Sequence, residues 1–184
     1  MTKPLTDTEL KRLHREWRRR TEWRLAVLLD DVMTPFNVGA LIRTAATQRV
    51  DHLYVAGNSS TPTNPKAHKL SMGTERFVEW SQHETVADGI TAAKGAGYRL
   101  VGIELAEGAV PLHEATLGPD ICLVLGHEDR GISPTALAAC DEVAFIPQLG
   151  KVGSLNVAHA AAIALYEARR RAWTTTPPPP ASGS

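Results

Sequence analysis

The stretch Ile146-Pro-Gln-Leu-Gly-Lys-Val-Gly-Ser-Leu-Asn-Val-Ala-His-Ala160 decides how the chain is read. An apolar run from Val143 to Ile146 stops at Pro147, a loop with Gly150 and Gly153 follows, and an alanine-rich segment begins at Asn156. Proline ends the strand because it locks its own φ and has no N–H to donate. The two glycines let main-chain groups come close to a ligand. Ser154 and Asn156 carry oxygens that can serve that ligand or accept from the first N–H groups of a helix. Spacing alone fits an ordinary strand-loop-helix connection equally well.

Working outward, strands are expected at Leu25–Leu29, His52–Ala56, Tyr98–Leu105, Ile121–Leu125 and Val143–Ile146. Helices are expected at Val38–Gln48, Thr85–Ala96, Pro134–Ala139 and Asn156–Trp173. The runs at 25, 121 and 143 are almost unbroken Val, Ile, Leu, Ala and Phe, the composition of parallel strands covered on both faces. The fold class is therefore α/β, a sandwich around a parallel sheet, and ligands of such sheets bind beyond the carboxyl ends of the strands. Gly57–Ser71, with its Asn, Ser, Thr and two prolines, reads as a long loop and a candidate substrate lip.

Residues 1–23 read as a separate basic helix. Thr6 and Glu9 form a capping box, Leu5 and Leu10 a hydrophobic staple, and Leu10, Leu13 and Trp17 an apolar stripe. Residues 1–24 hold eight Lys/Arg against four acids, a charge of +4 within a chain whose formal net charge is zero. A basic head suggests a polyanion partner held through phosphates; a solvated helix face is the alternative. Residues 24–173 form one domain, and the Thr/Pro/Ser-rich tail 174–184 cannot bury a face and is expected to be disordered.

With 184 residues, 43% of them apolar, the chain can build one real core. No apolar stretch approaches the roughly 18 residues that span a bilayer, and the N-terminus lacks the apolar region of a secretory signal. Cys122 and Cys140 read as buried thiols in a reducing compartment, and the seven histidines show no ligand spacing. The expectation is a soluble cytoplasmic protein with no membrane segment and no metal.

Two more motifs lie at the ends of strands. Pro35-Phe-Asn-Val-Gly-Ala-Leu-Ile-Arg-Thr44 offers Asn37 as a helix cap, Gly39 for close approach, and Arg43 more than a turn further on. Leu123-Val-Leu-Gly-His-Glu-Asp-Arg-Gly131 ends a strand in glycine and sets Glu128 just past its edge, where it could orient a polar ligand or pair with Arg43. The Gly-x-Gly-x-x-Gly fingerprint of dinucleotide-binding domains is missing after the first strand.

Taken together, Asn37-x-Gly39-x-x-x-Arg43-Thr44, Leu125-Gly126-x-Glu128-x-x-Gly131 and Ile146-Pro147 with Gly150 and Ser154-Leu155-Asn156-Val157 resemble the SpoU/TrmH branch of the SPOUT RNA methyltransferases. The likeness covers about residues 24–172 and is strongest to TrmH-type tRNA guanosine 2′-O-methyltransferases. It implies a C-terminal deep trefoil knot, a homodimer, and S-adenosylmethionine (AdoMet) as cofactor. The cofactor would be lined by Leu105, Leu125, Gly126, Ile146, Gly150, Ser154, Leu155 and Asn156. Arg43, Asn37, Glu128, Ser154 and Asn156 would carry catalysis, with Arg43 acting on the ribose 2′-oxygen. Arg15, Arg18, Arg19, Arg20, Lys66, Lys69 and Arg76 would hold RNA. The implied substrate is tRNA, at a D-loop guanosine. An rRNA target and an RNA-binding module without catalysis are the alternatives. Gln148, where methionine is common, and His127 depart from the usual pattern.

Overall fold

All six residues of Leu25–Asp30 (β1) are buried, which places this strand inside the sheet rather than at its edge. The structure, a computed structural model, describes residues 2–175. After an N-terminal helix, Asp7–Arg18 (α1), and β1 come Pro35–Thr47 (α2), His52–Ala56 (β2), Pro65–Ser71 (α3) and Glu79–His83 (β3). Val86–Gly95 (α4), Arg99–Ile103 (β4), Val110–Pro111 (β5) and Ile121–Leu125 (β6) follow. Pro134–Ala139 (α5), Glu142–Phe145 (β7) and Val157–Thr175 (α6) complete the described chain.

The seven strands lie in the order β3-β2-β1-β6-β4-β7-β5, every paired neighbour parallel. Alternation along β1 splits the core in two. Leu25, Val27 and Leu29 pack with residues of α2 and α6 on one face, while Ala26 and Leu28 pack with Ile90 and Ala93 of α4 and Ala136 of α5 on the other. The chain winds to one side of β1 through β2 and β3, then crosses to the other side for β4. The loops after β1, β4, β6 and β7 therefore open at a switch in winding direction, where a crevice forms.

Several expectations need correction. Two strands were not expected: β3, whose Glu-Trp-Ser-Gln-His sequence lacks an apolar run because it is an edge strand, and the two-residue β5. The expected loop 57–71 holds α3, started by Pro65 after Asn64, whose side chain accepts from the Lys66 N–H. Helix α2 starts at Pro35, so Asn37 lies inside the helix, and the N-cap, Thr34, makes no side-chain cap. The expected strand 98–105 is trimmed to Arg99–Ile103, and 143–146 shifts to Glu142–Phe145. Helix α6 extends through Thr175, two residues into the expected tail; positions 176–184 lie outside the described residues.

The capping box at Thr6 and Glu9 forms, with the Thr6 N–H donating to Glu9 Oε2 at 2.8 Å. The apolar stripe of α1 stays largely uncovered: Leu10, Leu13 and Trp17 are all exposed, and no residue of α1 is buried. Trp17 meets the ring of Trp173 edge-on at 4.9 Å, which ties α1 to the end of α6. Arg169, 4% exposed, donates to the carbonyls of Trp23 and Gln48 at 2.7 Å each and to that of Arg49 at 2.5 Å. A guanidinium at the carboxyl end of α2 suits the helix dipole and satisfies carbonyls that the helix leaves free. Among the described residues, no helix is long and apolar enough to cross a membrane.

Candidate active site

At the carboxyl edge of the sheet the loops after β4, β6 and β7 enclose a cleft of about 290 Å³. Leu105, Leu125, Gly126, Ile146, Ser154 and Leu155 line it, together with Glu104, His127, Glu128, Phe145 and Gln148. Ile103, Leu125, Ile146 and Leu155 give it an apolar side; carboxylates and loop backbone give it a polar one. Leu105 and Leu155 are 56% and 40% exposed, apolar surface at the mouth that a planar ligand would cover.

Glycine is required at 126. A Cβ there would stand 2.2 Å from the carbonyl carbon of Gly131 and from the nitrogen of Ile132. The loop can turn back this tightly because His127 and Gly131 exchange two backbone hydrogen bonds, at 3.0 and 2.9 Å, and Gly131 takes a φ of +68°. The glycine of the first motif works differently from a ligand contact: a Cβ on Gly39 would lie 2.5 Å from the carbonyl oxygen of Ala67, so Gly39 lets α3 pack onto α2. Gly150 and Gly153 face open space, and Gly150 does not line the cleft.

Glu128 serves as the missing cap of α2. Its carboxylate accepts from the N–H groups of Met33 at 3.3 Å and Thr34 at 3.0 Å, and from Asn37 Nδ2 at 2.9 Å. An anion at a helix N-terminus meets free N–H groups and the positive end of the dipole. Partial burial pushes the Glu128 pKa up, but hydrogen bonds from Asn37, from its own backbone and from Thr34 outweigh it and bring it down to about 2. So weak a base does not suit a proton acceptor. Asn37 continues the chain of contacts: its Oδ1 accepts from Asn156 Nδ2 at 2.9 Å, and Asn156 Oδ1 accepts from the N–H of Ala158 at 2.9 Å, capping α6. Glu128, Asn37 and Asn156 thus pin the second, first and third motifs together.

This staple has a pH signature. Because the folded pKa lies below the ordinary 4.5, the carboxylate's contribution is fully present above about pH 4.5 and is lost as pH falls towards about 2. Glu128→Gln should therefore lower thermal stability at pH 7 and flatten the loss of stability between pH 4.5 and 2. Parallel melting curves of both proteins across that range would contradict the staple.

Arg43 stands apart from Glu128, so the pairing offered as one of two alternatives does not form. Glu128 is occupied by residues 33, 34 and 37, and Arg43 does not line the cleft; its Nη1 lies against Met72 Sδ in a neighbouring groove with Thr44, Thr47, Lys69 and Leu70. Asn37 and Asn156 also sit outside the lining, behind the wall they brace. Ser154 is exposed at the rim. Of the basic residues singled out from sequence, Arg15, Arg18 and Arg19 are exposed, whereas Arg20 stacks on Trp17 at 4.0 Å and pairs with Glu16 at 3.3 Å. Lys66 and Lys69 project from α3, and the Arg76 guanidinium lies 4.7 Å from the Phe77 ring centroid. Among the described residues, no cluster of three or more His, Cys, Asp or Glu could hold a metal ion.

Glu104 is among the cleft residues that escaped the sequence reading. It accepts from the N–H groups of Leu105 at 2.9 Å and Ile132 at 3.0 Å, bridging the loops after β4 and β6. Its position one residue past β4 was the available signal, since carboxylates at strand ends commonly serve ligands.

The profile of the SpoU rRNA Methylase family matches residues 24–166. A 23S rRNA (guanosine-2′-O-)-methyltransferase, RlmB, of Acinetobacter baylyi is 35% identical over 148 residues, 80% of this chain and 60% of that protein. A tRNA (guanosine(18)-2′-O)-methyltransferase of Thermus thermophilus is 32% identical over 168 residues, 90% of this chain and 84% of that one. The crystal structure of the SpoU methyltransferase AviRb from Streptomyces viridochromogenes with AdoMet superposes with a TM-score of 0.73 at 30% identity, covering 82% of this chain and 61% of that one. The chain thus spans about 60% of the length of the first of these relatives. The profile covers well over half of the chain, and the chain belongs to the SpoU rRNA methylase family.

Proposed function

We propose that the protein is an AdoMet-dependent RNA ribose 2′-O-methyltransferase acting on tRNA in the cytoplasm, at a D-loop guanosine. The observation that carries this reading is the staple of Glu128, Asn37 and Asn156, which ties the family's three motifs together beside a cleft lined by the second and third. The cleft suits the cofactor: it has apolar walls for a flat base, exposed Leu105 and Leu155 at its mouth, and a volume near the lower end of the roughly 300–1,000 Å³ of ligand pockets. Leu105, Leu125, Gly126, Ile146, Ser154 and Leu155 would hold it, with Gly150 and Asn156 acting through the loop they belong to. When bound, AdoMet supplies an electrophilic methyl group on a sulfonium.

The remaining work falls to this chain. Positioning is the largest available contribution, up to about 7–11 kcal/mol where two reactants are held in line. Because its groove lies apart from the cleft, Arg43 acts at the 2′-oxygen across the proposed homodimer, beside the cleft of the second copy, where its guanidinium stabilises the developing 2′-alkoxide instead of removing its proton. The proton leaves to water or a substrate phosphate, because Glu128 is too weak a base. Arg15, Arg18, Arg19, Lys66, Lys69 and Arg76 contact phosphates, with Arg20 contributing from beside Trp17. Alanine at 18, 19 and 20 together should flatten the dependence of tRNA affinity on salt, by a slope of about 2 to 3 if all three touch phosphate. An unchanged slope in a filter-binding titration would remove the helix from the RNA contact.

The proposal includes a homodimer and a knotted chain. Ile163 and Tyr166 on α6, 43% and 54% exposed, flank an apolar groove with Leu112 and Pro147 that a second copy would cover. The strand order β6-β4-β7 and the return of α6 onto α2 are consistent with a chain end threaded through the loop after β6.

The Thermus thermophilus relative, of which the chain covers 84%, is named for tRNA, and this favours tRNA. The Acinetobacter baylyi relative, at 35% identity, is named for 23S rRNA and supports rRNA as the second reading. Incubation with tritiated AdoMet and separate tRNA and rRNA pools, followed by nuclease digestion and mass spectrometry, tests both. Label in a tRNA 2′-O-methylguanosine is expected; label in rRNA alone selects the second reading, and absence of label from both overturns the function.

A further inference from the structure

Glu104 stands at the middle of the cleft. Strand β4 lies between β6 and β7, and the loops after these three strands form the walls, so the residue that follows β4 comes between the other two. Its main chain is fixed there by donation of the Glu104 N–H to the carbonyl of Ala144 at 2.9 Å. Each carboxylate oxygen accepts one N–H, from Leu105 and from Ile132, and keeps acceptor capacity beyond it. Gly131 leaves room for the carboxylate, since a Cβ at that position would collide with Oε2. The group is half-buried and, among the described residues, enters no ion pair. The other charges that line the cleft are already partnered or face solvent. Glu128 is engaged by the start of α2, Asp129 is exposed, and the exposed Arg130 leans out to Asp31 at 3.8 Å.

We propose that Glu104 is the specificity-determining charge of this cleft and holds the cationic methyl donor more tightly than the neutral product. The inference rests on the AdoMet reading of the cleft and deepens it. In the transfer the S–CH3 bond breaks with its electron pair left on sulfur, and a bond forms between that carbon and the 2′-oxygen. The hydroxyl proton goes to water or a substrate phosphate. The cofactor thereby loses its sulfonium charge, and its net charge falls from one positive to none. In a cleft of about 290 Å³ a bound sulfonium lies within one Debye length, roughly 8–10 Å, of this carboxylate. A carboxylate half-withdrawn from water and without a cationic partner attracts a sulfonium and gains nothing from a thioether. The reaction itself then loosens the spent cofactor, and fresh donor displaces it. A carboxylate that merely tied the loops after β4 and β6 would serve both forms alike.

The test is isothermal titration of the full chain without RNA, at about pH 8, above the ordinary histidine range. The ligands are AdoMet, S-adenosylhomocysteine and sinefungin, an unreactive analogue with an ammonium in place of the sulfonium. Wild type should bind both cationic ligands roughly fivefold tighter than S-adenosylhomocysteine, the upper end for charge pairs that keep contact with solvent. That preference should shrink as salt rises. Glu104→Gln should bring the three affinities to within about twofold of one another, and Glu104→Asp should keep the order at lower affinity. Equal losses for all three ligands in Glu104→Gln, with the preference intact, would overturn the inference and leave Glu104 a tie between loops. A preference lost for sinefungin alone would overturn it too, because it would mark a hydrogen bond to the amine rather than a response to charge. Wild type without a preference also overturns it; if that protein binds all three ligands the cofactor reading stands, and if it binds none both fall. Should Glu104→Gln not fold, the salt series and Glu104→Asp decide: a salt-independent preference, or one lost in Glu104→Asp, would overturn the inference.

Discussion

Gly126→Ala is expected to destabilise the protein by about 1–3 kcal/mol, the usual cost of overpacking, and to lower S-adenosylhomocysteine affinity at least tenfold. The reason is local and backbone-bound. The new methyl would lie 2.2 Å from two main-chain atoms, at Gly131 and Ile132, and neither can rotate away as a side chain could. Relief requires the 126–131 turn to open, which breaks the paired hydrogen bonds between His127 and Gly131. Opening also pulls on Glu104, whose Oε2 accepts from the Ile132 N–H, and so displaces the loop after β4. The same movement shifts Glu128, which caps α2 from that turn. Thermal melting and isothermal titration would measure the two effects. Wild-type affinity in a folded Gly126→Ala protein would show that the pinched turn does not shape the binding cleft.

The second large effect is expected at Arg43. Arg43→Ala should reduce turnover by roughly 10²–10³-fold at saturating RNA, the scale on which a single stabilising donor acts on a developing oxyanion. Cofactor affinity should hardly change, because Arg43 lies outside the cleft. Arg43→Lys keeps the charge but loses the planar fork of donors, and most of the loss should persist. Near-normal turnover of the lysine variant under single-turnover conditions would show that Arg43 does not act at the 2′-oxygen.

These two residues illustrate what could be read in advance. Gly126 belongs to a motif whose strand, Ile121–Leu125, is an unbroken apolar run with the observed boundaries, and the period-free burial of β1 and β6 was equally plain. A helix with its cap written locally was legible too, as at Thr6, where the partner for the capping oxygen lies three residues on. The edge strand Glu79–His83 was not, because half its surface faces solvent and it needs no apolar run; only its register with His52–Ala56 makes it a strand. Helix α3 was hidden for another reason. Seven residues rich in Lys, His and Ser carry little periodicity, and the segment is held chiefly by Gly39, which lets it settle on α2.

Within the candidate site the division is similar. Asn37, Glu128 and Asn156 could each be singled out by motif, but their mutual contacts span 91 and 119 residues of sequence. No local rule shows that Glu128 would cap α2 in place of Thr34, or that Arg43 would turn away from it towards Met72. The cleft and the groove of Arg43 are separate features in the fold, though both motifs promise chemistry in the sequence.

What the amino-acid order determined by itself was the class of fold, the family and the identity of the residues that matter. Runs of apolar residues, glycines and local caps act over a few positions, so their consequences are written where they stand. What only the tertiary structure decided was which of those residues meet. Hydrogen bonds and close packing between distant segments depend on how the sheet orders its strands, and that order sets Glu128, Asn37 and Asn156 in contact while Arg43 lines a separate groove with Lys69 and Met72.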